Sequence, residues 1–368
     1  MKLGKIALGA AVIAAGVALG SMTASAKELR AGSGANLPHP AAKLFYKAMD
    51  TIKEVSGGAL TIRHLGPEVA PLRGAISNLQ SGVIEFGNVL TLYFPAEFPN
   101  FMLIAELAVL GESGQAMSGA VTEYITTCEP CLKEFKDKGL VFLGSGVSSS
   151  YQIMTRDPVV SLADLKGKKL RSAGAPFTRW AESVGAVPME ISFNEEFEAA
   201  ASGLIDGMMN PVGNLMNGKL YEIIGNVTLL NIGTFHSGSQ FTVRRQAWDS
   251  LTADEKKWMV QGASAGVASA LPYFKVADTE AMKHVKVHKP DETLAKAHEA
   301  AQQAAIAATI EAGKTRYMVA NPEADVKRFI ALVDKWNKIV AEIGEDNEEA
   351  MRQKLQEEVY SKIDLTTY

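Results

Sequence analysis

Short apolar strands alternate with helices along this chain of 368 residues, and that alternation limits the folds it can adopt. Glu28–Gly32 alternates in the manner of a strand, and Ala41–Val55 repeats apolar residues at helical spacing. A strand at Ala59–Arg63, a short helix at Leu72–Ser81 and a strand within Ile84–Val89 continue the order. Successive strand–helix–strand units predict a largely parallel sheet with helices packed on its faces.

A second block of the same kind begins near Ser150. Because domains usually have about 100–200 residues, the length favours two lobes. We expect the first lobe to contain residues 27–150 and about 236–275, and the second to contain residues 151–235 and about 276–368. The second block is predicted to have strands at Ile153–Met154, Lys169–Arg171 and Met189–Ile191, and helices at Ala175–Val184 and Phe193–Ser202.

The first 26 residues have the three-part pattern of a secretory signal peptide. Lys2 and Lys5 precede the uncharged apolar run Ile6–Leu19, and Ala24-Ser25-Ala26 supplies the small residues of a cleavage site. The alternative is a membrane anchor, but the run has about 14 residues where roughly 20 are needed to span a bilayer. The sequence therefore predicts export to the periplasm and cleavage after Ala26.

The composition and the motifs exclude several functional classes. With 37 Lys and Arg against 41 Asp and Glu, and 47% hydrophobic residues, the chain resembles neither a basic nucleic-acid-binding protein nor a disordered one. It has no P-loop, H-E-x-x-H or G-x-G-x-x-G motif, and no catalytic site, metal or cofactor is predicted. His39, beside a helix start, and His236, in a Gly- and Ser-rich loop, are candidates for residues that border a ligand.

Cys128 and Cys131, the only two cysteines, form a C-x-x-C pattern that allows several interpretations. A redox motif would follow a strand, whereas this pattern lies near the end of a helical stretch. A zinc site needs further ligands, and the chain has no second cysteine pair. In an oxidising compartment a structural disulfide is favoured, with reduced thiols as the alternative.

The segment Leu162–Pro211 contains the strongest candidate for a binding residue. Arg171 ends a predicted strand, and in open α/β sheets ligands bind outside the carboxyl ends of strands. A guanidinium at that place can grip a carboxylate with two parallel hydrogen bonds. An arginine at a strand end is by itself more often a surface residue, so the surrounding sequence decides the interpretation.

This segment resembles the substrate-binding proteins of the tripartite ATP-independent periplasmic (TRAP) transporters, and the resemblance extends over essentially the whole chain after the signal. Each motif that carries it is weak alone, whereas their order, their spacing and the export signal together are specific. The motifs are Asp164–Arg171 (D-L-K-G-K-K-L-R), Ser183–Pro188, Phe193–Ala199, Ser202–Gly207, Asn210-Pro211 and Ala247–Leu251, with His39-Pro40 and Ser56–Leu60 near the amino terminus.

The resemblance implies a two-lobed periplasmic binding protein with a mixed, mostly parallel sheet in each lobe. It also implies one long helix that bridges both lobes, for which Thr252–Ala281 is the candidate. Such a protein closes over a small organic acid anion and delivers it to a small and a large membrane subunit, which use an ion gradient. The family's selectivity arginine falls on Arg171, which would pair with the ligand carboxylate, and a frequent ligand contact falls on Asn210. We expect a monomer.

The resemblance also indicates positions that influence specificity. Tyr151 lies near the place where sialic-acid-type members have another arginine. Thr91 and Tyr93 follow a strand where some members place charged contacts, and Asn36 is a further candidate. One arginine among several aromatic side chains favours a monocarboxylate, including bulky or aromatic ones, over a dicarboxylate.

Two other classes of protein are alternatives. A binding protein of an ABC importer or of a passive tripartite system would have the same two-lobed architecture, and the bridging helix would distinguish the TRAP type from it. An exported enzyme would need a base and a nucleophile that converge in the cleft, and the sequence shows no such pair.

Overall fold

The computed structural model describes residues 26–35 and 39–368. The predicted export signal, apart from its last residue, and Asn36 lie outside the described residues. In the described part, no helix is both long enough and apolar enough to cross a membrane. Strands β1 to β11 are Lys27–Gly32, Leu60–His64, Phe86–Val89, Leu140–Gly144, Gln152–Thr155, Lys169–Ser172, Val187–Glu190, Gly207–Asn210, Asn226–Thr228, Ser239–Arg244 and Lys286–His288. Helices α1 to α13 are Pro40–Val55, Ala75–Ser81, Pro99–Ala105, Gly114–Thr126, Glu129–Asp137, Leu162–Leu165, Ala175–Ser183, Glu196–Ala201, Arg245–Asp249, Ala253–Ala281, Glu292–Thr315, Pro322–Ile343 and Glu348–Glu358.

The first lobe is built on a five-stranded sheet in the order β2-β1-β3-β10-β4. β1 is parallel to β2 and β3, whereas β10 comes from far along the chain and is antiparallel to both β3 and β4. Phe45 of α1 stacks on Phe86 and on Phe241, with ring centroids 4.7 and 5.8 Å apart. All three rings are fully buried, so apolar packing holds α1 against this sheet.

The second lobe is built on a six-stranded sheet in the order β11-β9-β5-β8-β6-β7. Met208 and Met209 of β8 belong to separate buried clusters, because successive side chains of a strand point to opposite faces. β6 lies between β7 and β8 and is parallel to both. The carboxyl ends of these three strands therefore meet at one edge of the sheet, which is where α/β proteins bind ligands.

Helix α10 has 29 residues and connects the two lobes. It begins at a capping box, in which the Thr252 side chain accepts the N–H of Glu255 and the Glu255 carboxylate accepts the N–H of Thr252. Along its length it packs against α1 of the first lobe and against the segment Val212–Glu222 of the second. The predicted bridging helix is confirmed, and so is the predicted fold class with its two mixed, mostly parallel sheets.

Helices α12 and α13 pack on the first lobe, which differs from the prediction that residues from about 276 to 368 belong to the second. Trp336 of α12 is fully buried against α4, where Gly119 has no side chain to obstruct the indole. The Trp336 Nε1 donates to a carboxylate oxygen of Glu123 at 2.7 Å. The amphipathic pattern of α12 predicts a buried face, but it does not indicate which lobe covers that face.

Candidate functional site

A cavity of about 340 Å³ lies between the two lobes, a volume that suits a small organic molecule. Both lobes and the bridging helix supply its walls, so a bound molecule would touch all three. The lining residues that matter below are His39, Arg73, Asn88, Tyr93 and Gln240 of the first lobe, Tyr151, Arg171, Asn210 and Phe235 of the second, and Phe274 of α10.

Arg171 lies at this cavity with only 5% of its surface exposed. Its Nε donates to the backbone carbonyl of Ile191 at 2.9 Å, and its Nη1 donates to Asn210 Oδ1 at 2.7 Å. Arg171 is near the end of β6 and Asn210 is at the end of β8. The parallel pairing of these strands therefore brings together two residues that the sequence pattern singles out.

Glu196, the first residue of α8, is a partner of Arg171 that the sequence reasoning missed. Its Oε1 lies 3.0 Å from the Arg171 Nη1 and accepts from the Asn210 Nδ2 at 2.7 Å. Burial raises the pKa of the Glu196 carboxyl, while the charge of Arg171 and the bond from Asn210 lower it. The only signal in the sequence is that Glu196 stands in the motif Phe193–Ala199, since nothing local relates it to Arg171.

The contacts of Arg171 change the expected way of binding a carboxylate. They use Nε and Nη1, and Nη2 takes part in none of them. A forked pair of bonds needs Nη2 together with either Nε or Nη1. Nε and Nη1 thus already have partners in the protein, so the two-bond fork expected from the sequence would share Nε or Nη1 with Ile191, Asn210 or Glu196.

Aromatic rings form a wall beside the Arg171 guanidinium. Tyr151 stacks on Phe177, with ring centroids 4.4 Å apart, and lies 6.5 Å from the ring of Phe235. Burial raises the pKa of the Tyr151 hydroxyl well above its usual range, although the adjacent charge of Arg171 lowers it. The hydroxyl is thus protonated at neutral pH and can donate a hydrogen bond next to Arg171.

The expectation of a single arginine in the pocket is wrong, because Arg73 and Arg316 also line the cavity. Both are exposed side chains at its edge, in contrast to the buried Arg171. The Arg73 guanidinium lies 4.6 Å from the ring centroid of Tyr93. These cations make the cavity more attractive to an anion than Arg171 alone would.

His39 combines a structural role with a place in the cavity wall. Its Nδ1 accepts the backbone N–H of Ala41 at 3.1 Å and so caps the start of α1. Its ring meets Phe193 of the second lobe edge-on, with centroids 4.8 Å apart. Burial, with a smaller effect of Lys43, lowers the pKa of His39 to about 4 although Asn214 acts in the opposite direction, so the imidazole is neutral at pH 7.

Two of the predicted site residues do not line the cavity. Thr91 is fully buried, and its neighbours Leu90 and Leu92 line the cavity instead. His236 is also fully buried in the first lobe, where its Nε2 lies 2.9 Å from the carbonyl oxygen of Ile104. The surrounding Gly and Ser residues suggest an exposed loop, but the loop packs inward.

The predicted disulfide between Cys128 and Cys131 is confirmed, with Cα atoms 5.2 Å apart. It lies at the start of α5, and neither cysteine lines the cavity. Within residues 26–35 and 39–368, no three His, Cys, Asp or Glu side chains come together as a metal-binding group.

Two lobes, a helix that bridges them and a buried arginine in the cavity between them define a solute-binding protein. Residues 33–317 match the family described as bacterial extracellular solute-binding protein, family 7, and the chain belongs to this family of TRAP substrate-binding proteins. Membership separates the chain from the binding proteins of other importer types, and the family is one of solute-binding proteins, not of enzymes.

Individual relatives agree with this assignment. The chain is 28% identical to a solute-binding protein of Sulfitobacter sp. (strain NAS-14.1) over 263 residues, which are 69% of this chain and 76% of that protein. A TRAP periplasmic solute-binding protein from Bordetella bronchiseptica, solved with bound (R)- and (S)-mandelate, has a TM-score of 0.72 at 23% identity, covering 84% of this chain and 99% of that one. A marine metagenome TRAP solute-binding protein specific for aromatic acid ligands, in complex with metahydroxyphenylacetate, has a TM-score of 0.74 at 23% identity with the same coverage. At these identities the two structures support the fold alone.

Proposed function

We propose that this chain is exported to the periplasm, captures a small organic acid anion in the cavity between its lobes and acts as a monomer. The ligand carboxylate is bound by Arg171, and the loaded protein delivers the anion to the small and large membrane subunits of a TRAP transporter. The observation that carries the proposal is the buried guanidinium of Arg171 at the cavity, which is held in place by Ile191, Asn210 and Glu196.

The charges around Arg171 are compatible with an anionic ligand. Arg171 and Glu196 form a neutral pair, so a ligand carboxylate adds one negative charge to a buried site. Arg73 and Arg316 at the cavity edge offset this charge. Burial already raises the pKa of Glu196, and a ligand carboxylate nearby would raise it further, so Glu196 can take up a proton as the anion binds.

The aromatic walls favour a ligand with a ring or another bulky apolar group. Tyr151, Phe235 and Phe274 line the cavity together with aliphatic side chains. Flat apolar walls with a few polar groups suit such ligands because the ring is removed from water while the carboxylate stays paired. The aromatic acids bound by the Bordetella and metagenome proteins support this choice of ligand class.

Calorimetric titration of Arg171 variants tests the proposal. A thermal-shift screen of small carboxylates first identifies a ligand, since binding to the folded state raises the unfolding temperature. We expect Arg171→Ala to weaken its binding at least about a hundredfold. Arg171→Lys should weaken it nearly as much, because an ammonium cannot hold Ile191 and Asn210 and also reach the ligand.

Arg63→Ala is the matched control, since Arg63 lies on β2 away from the cavity and pairs with Glu28. It should leave the affinity unchanged. Unfolding curves of all variants show whether Arg171→Ala, which leaves Glu196 without its charge partner, still folds. Native affinity in both Arg171 variants would contradict the proposal.

A further inference from the structure

The cavity has a second polar region, on the first lobe, which the assignment of Arg171 does not use. Gln240 of β10 and Asn88 of β3 both line the cavity and are 6% and 4% exposed. Neither side chain carries a charge, so this region cannot form an ion pair with a second carboxylate of the ligand. Buried amide groups cost free energy unless every donor and acceptor finds a partner.

The strand pairing places these two residues opposite each other on neighbouring strands. β10 pairs with β3 at Ser239 with Val89 and again at Thr242 with Gly87, so two residues of β10 stand opposite Asn88 alone. Such a bulge redirects side chains and is common next to binding sites. Phe241 packs in the core of the first lobe, and Gln240, the residue before it, lines the cavity.

Hydrogen bonds to the backbone define which way each amide faces. Gln240 Oε1 accepts the N–H of Gly146 at 2.9 Å, which leaves the two N–H donors of its Nε2 without a partner in the described part of the chain. Asn88 Nδ2 donates to the carbonyl of Ser33 at 3.1 Å, and its Oδ1 is buried out of reach of the cavity, so Gln240 is the amide that can meet a ligand. The opposite orientation of either amide would set donor against donor or acceptor against acceptor.

We propose that Gln240 recognises a hydroxyl group of the ligand that is remote from the carboxylate. The hydroxyl oxygen is an acceptor for the N–H groups of the Gln240 Nε2, which have no other partner in the described part of the chain. This inference rests on the proposed function, and it narrows the ligand class to hydroxylated, ring-containing carboxylates. A site built to bond a hydroxyl discriminates strongly against analogues that lack it, because its own polar groups are then left unpaired.

The test uses benzoate, phenylacetate and 3-phenylpropionate, each with and without a ring hydroxyl, titrated by calorimetry. The different chain lengths allow for the distance between the carboxylate and the hydroxyl. We expect the tightest ligand to carry the hydroxyl and to bind at least about tenfold more tightly than its parent acid. In Gln240→Met, which has similar volume and no donors, that advantage should disappear while the parent acid changes less than about threefold.

Gln152→Met is the matched control, because Gln152 is a half-buried amide outside the cavity and its variant should keep the hydroxyl advantage. A hydroxyl that gives no advantage in the native protein, or an advantage that persists in Gln240→Met, would overturn the inference. In either case, loss of binding in Arg171→Ala would leave the proposed function intact. If no carboxylate binds at all, the proposed function fails and this inference fails with it.

Discussion

Arg171 and His39 show how neighbouring atoms decide what a residue in the cavity can do. The guanidinium of Arg171 has a single orientation, because Ile191 and Asn210 accept its N–H groups. The imidazole of His39 must keep its Nδ1 unprotonated to accept the N–H of Ala41. A ligand bound as proposed would therefore meet a guanidinium of fixed orientation, and the histidine supports a helix start beside it.

The cap formed by His39 predicts a pH dependence of stability. Burial lowers its pKa to about 4 from a usual 6.5, so between those values the unfolded chain binds a proton that the folded protein does not. Stability that His39 contributes above about pH 6.5 is thus lost as the pH falls toward 4, by at most about 3 kcal/mol. In His39→Asn, which keeps a cap without a titrating group, the loss should be smaller by that amount.

Urea unfolding of the native protein and of His39→Asn between about pH 4 and about pH 7 measures this difference. The other histidines are the same in both proteins, so their contributions cancel in the comparison. Parallel pH profiles for the native protein and His39→Asn would show that His39 does not titrate as described.

At the residue scale, local patterns predict Arg171 at a strand end, and the resemblance to TRAP binding proteins adds Asn210; both residues line the cavity. Glu196 could not be found in this way, since its contact with Arg171 depends on how the turn after Ser192 returns to β6. The Gly and Ser residues around His236 predict an exposed loop near the ligand, whereas its contact with the Ile104 carbonyl holds it in the interior. Local sequence therefore predicts positions on elements better than contacts between them.

The bridging helix α10 contains a proline, Pro272, which removes one hydrogen bond of the helix. A side chain of another helix replaces that hydrogen bond. Pro272 has no N–H, so it cannot bond to the carbonyl of Ala268 one turn earlier. The Nε2 of Gln115, a buried residue of α4, donates to that carbonyl at 2.9 Å. A side chain of the first lobe thus completes the hydrogen bonding of the helix that joins the lobes.

A double-mutant cycle tests this arrangement. Gln115→Leu leaves the buried carbonyl of Ala268 unpaired and should lower the free energy of unfolding by about 1–3 kcal/mol. In the Pro272→Ala background a backbone N–H becomes available, so the same change should cost less than about half as much. Equal costs in both backgrounds, measured by urea unfolding, would show that Gln115 does not substitute for the missing N–H.

Helices α10 and α12 differ in what their sequences disclose. The capped start at Thr252 is recognisable in the sequence of α10, and the resemblance to TRAP binding proteins supplies the expectation of a long helix up to Ala281. The apolar residues along one side of α12 predict that this side is buried. They do not predict that it packs on α4, where Gly119 leaves space for the indole of Trp336. The fit between Gly119 and Trp336 involves residues far apart in the sequence, so the lobe on which α12 packs can be assigned only from the structure.

An ion pair connects the two lobes beside the cavity. Glu106, directly after α3 in the first lobe, is fully buried and pairs with Arg179 of α7 in the second. The Tyr317 hydroxyl also donates to Glu106, and Arg316 lies 4.0 Å from it. Glu106 and Arg179 do not line the cavity, whereas Arg316 and Tyr317 do, so this ion pair joins the contact between the lobes to the cavity wall.

Removing this contact should release the ligand faster. We expect Arg179→Ala to increase the dissociation rate of a bound carboxylate about tenfold and to change the association rate little, because the lost contact exists only when the lobes meet. Arg352→Ala is the control, since Arg352 pairs with Glu349 on its own helix. Stopped-flow dissociation rates that match the native protein in both variants would contradict a role in closure.

The central claim for the whole molecule is that the charge of Arg171 selects an anion in the cavity. The most direct measurement is a calorimetric comparison of a carboxylate ligand with its carboxamide, in the native protein and in Arg171→Ala. We expect the carboxamide to bind at least about a hundredfold more weakly to the native protein and the two compounds to bind alike to the variant. Equal affinities of the two compounds for the native protein would contradict the claim.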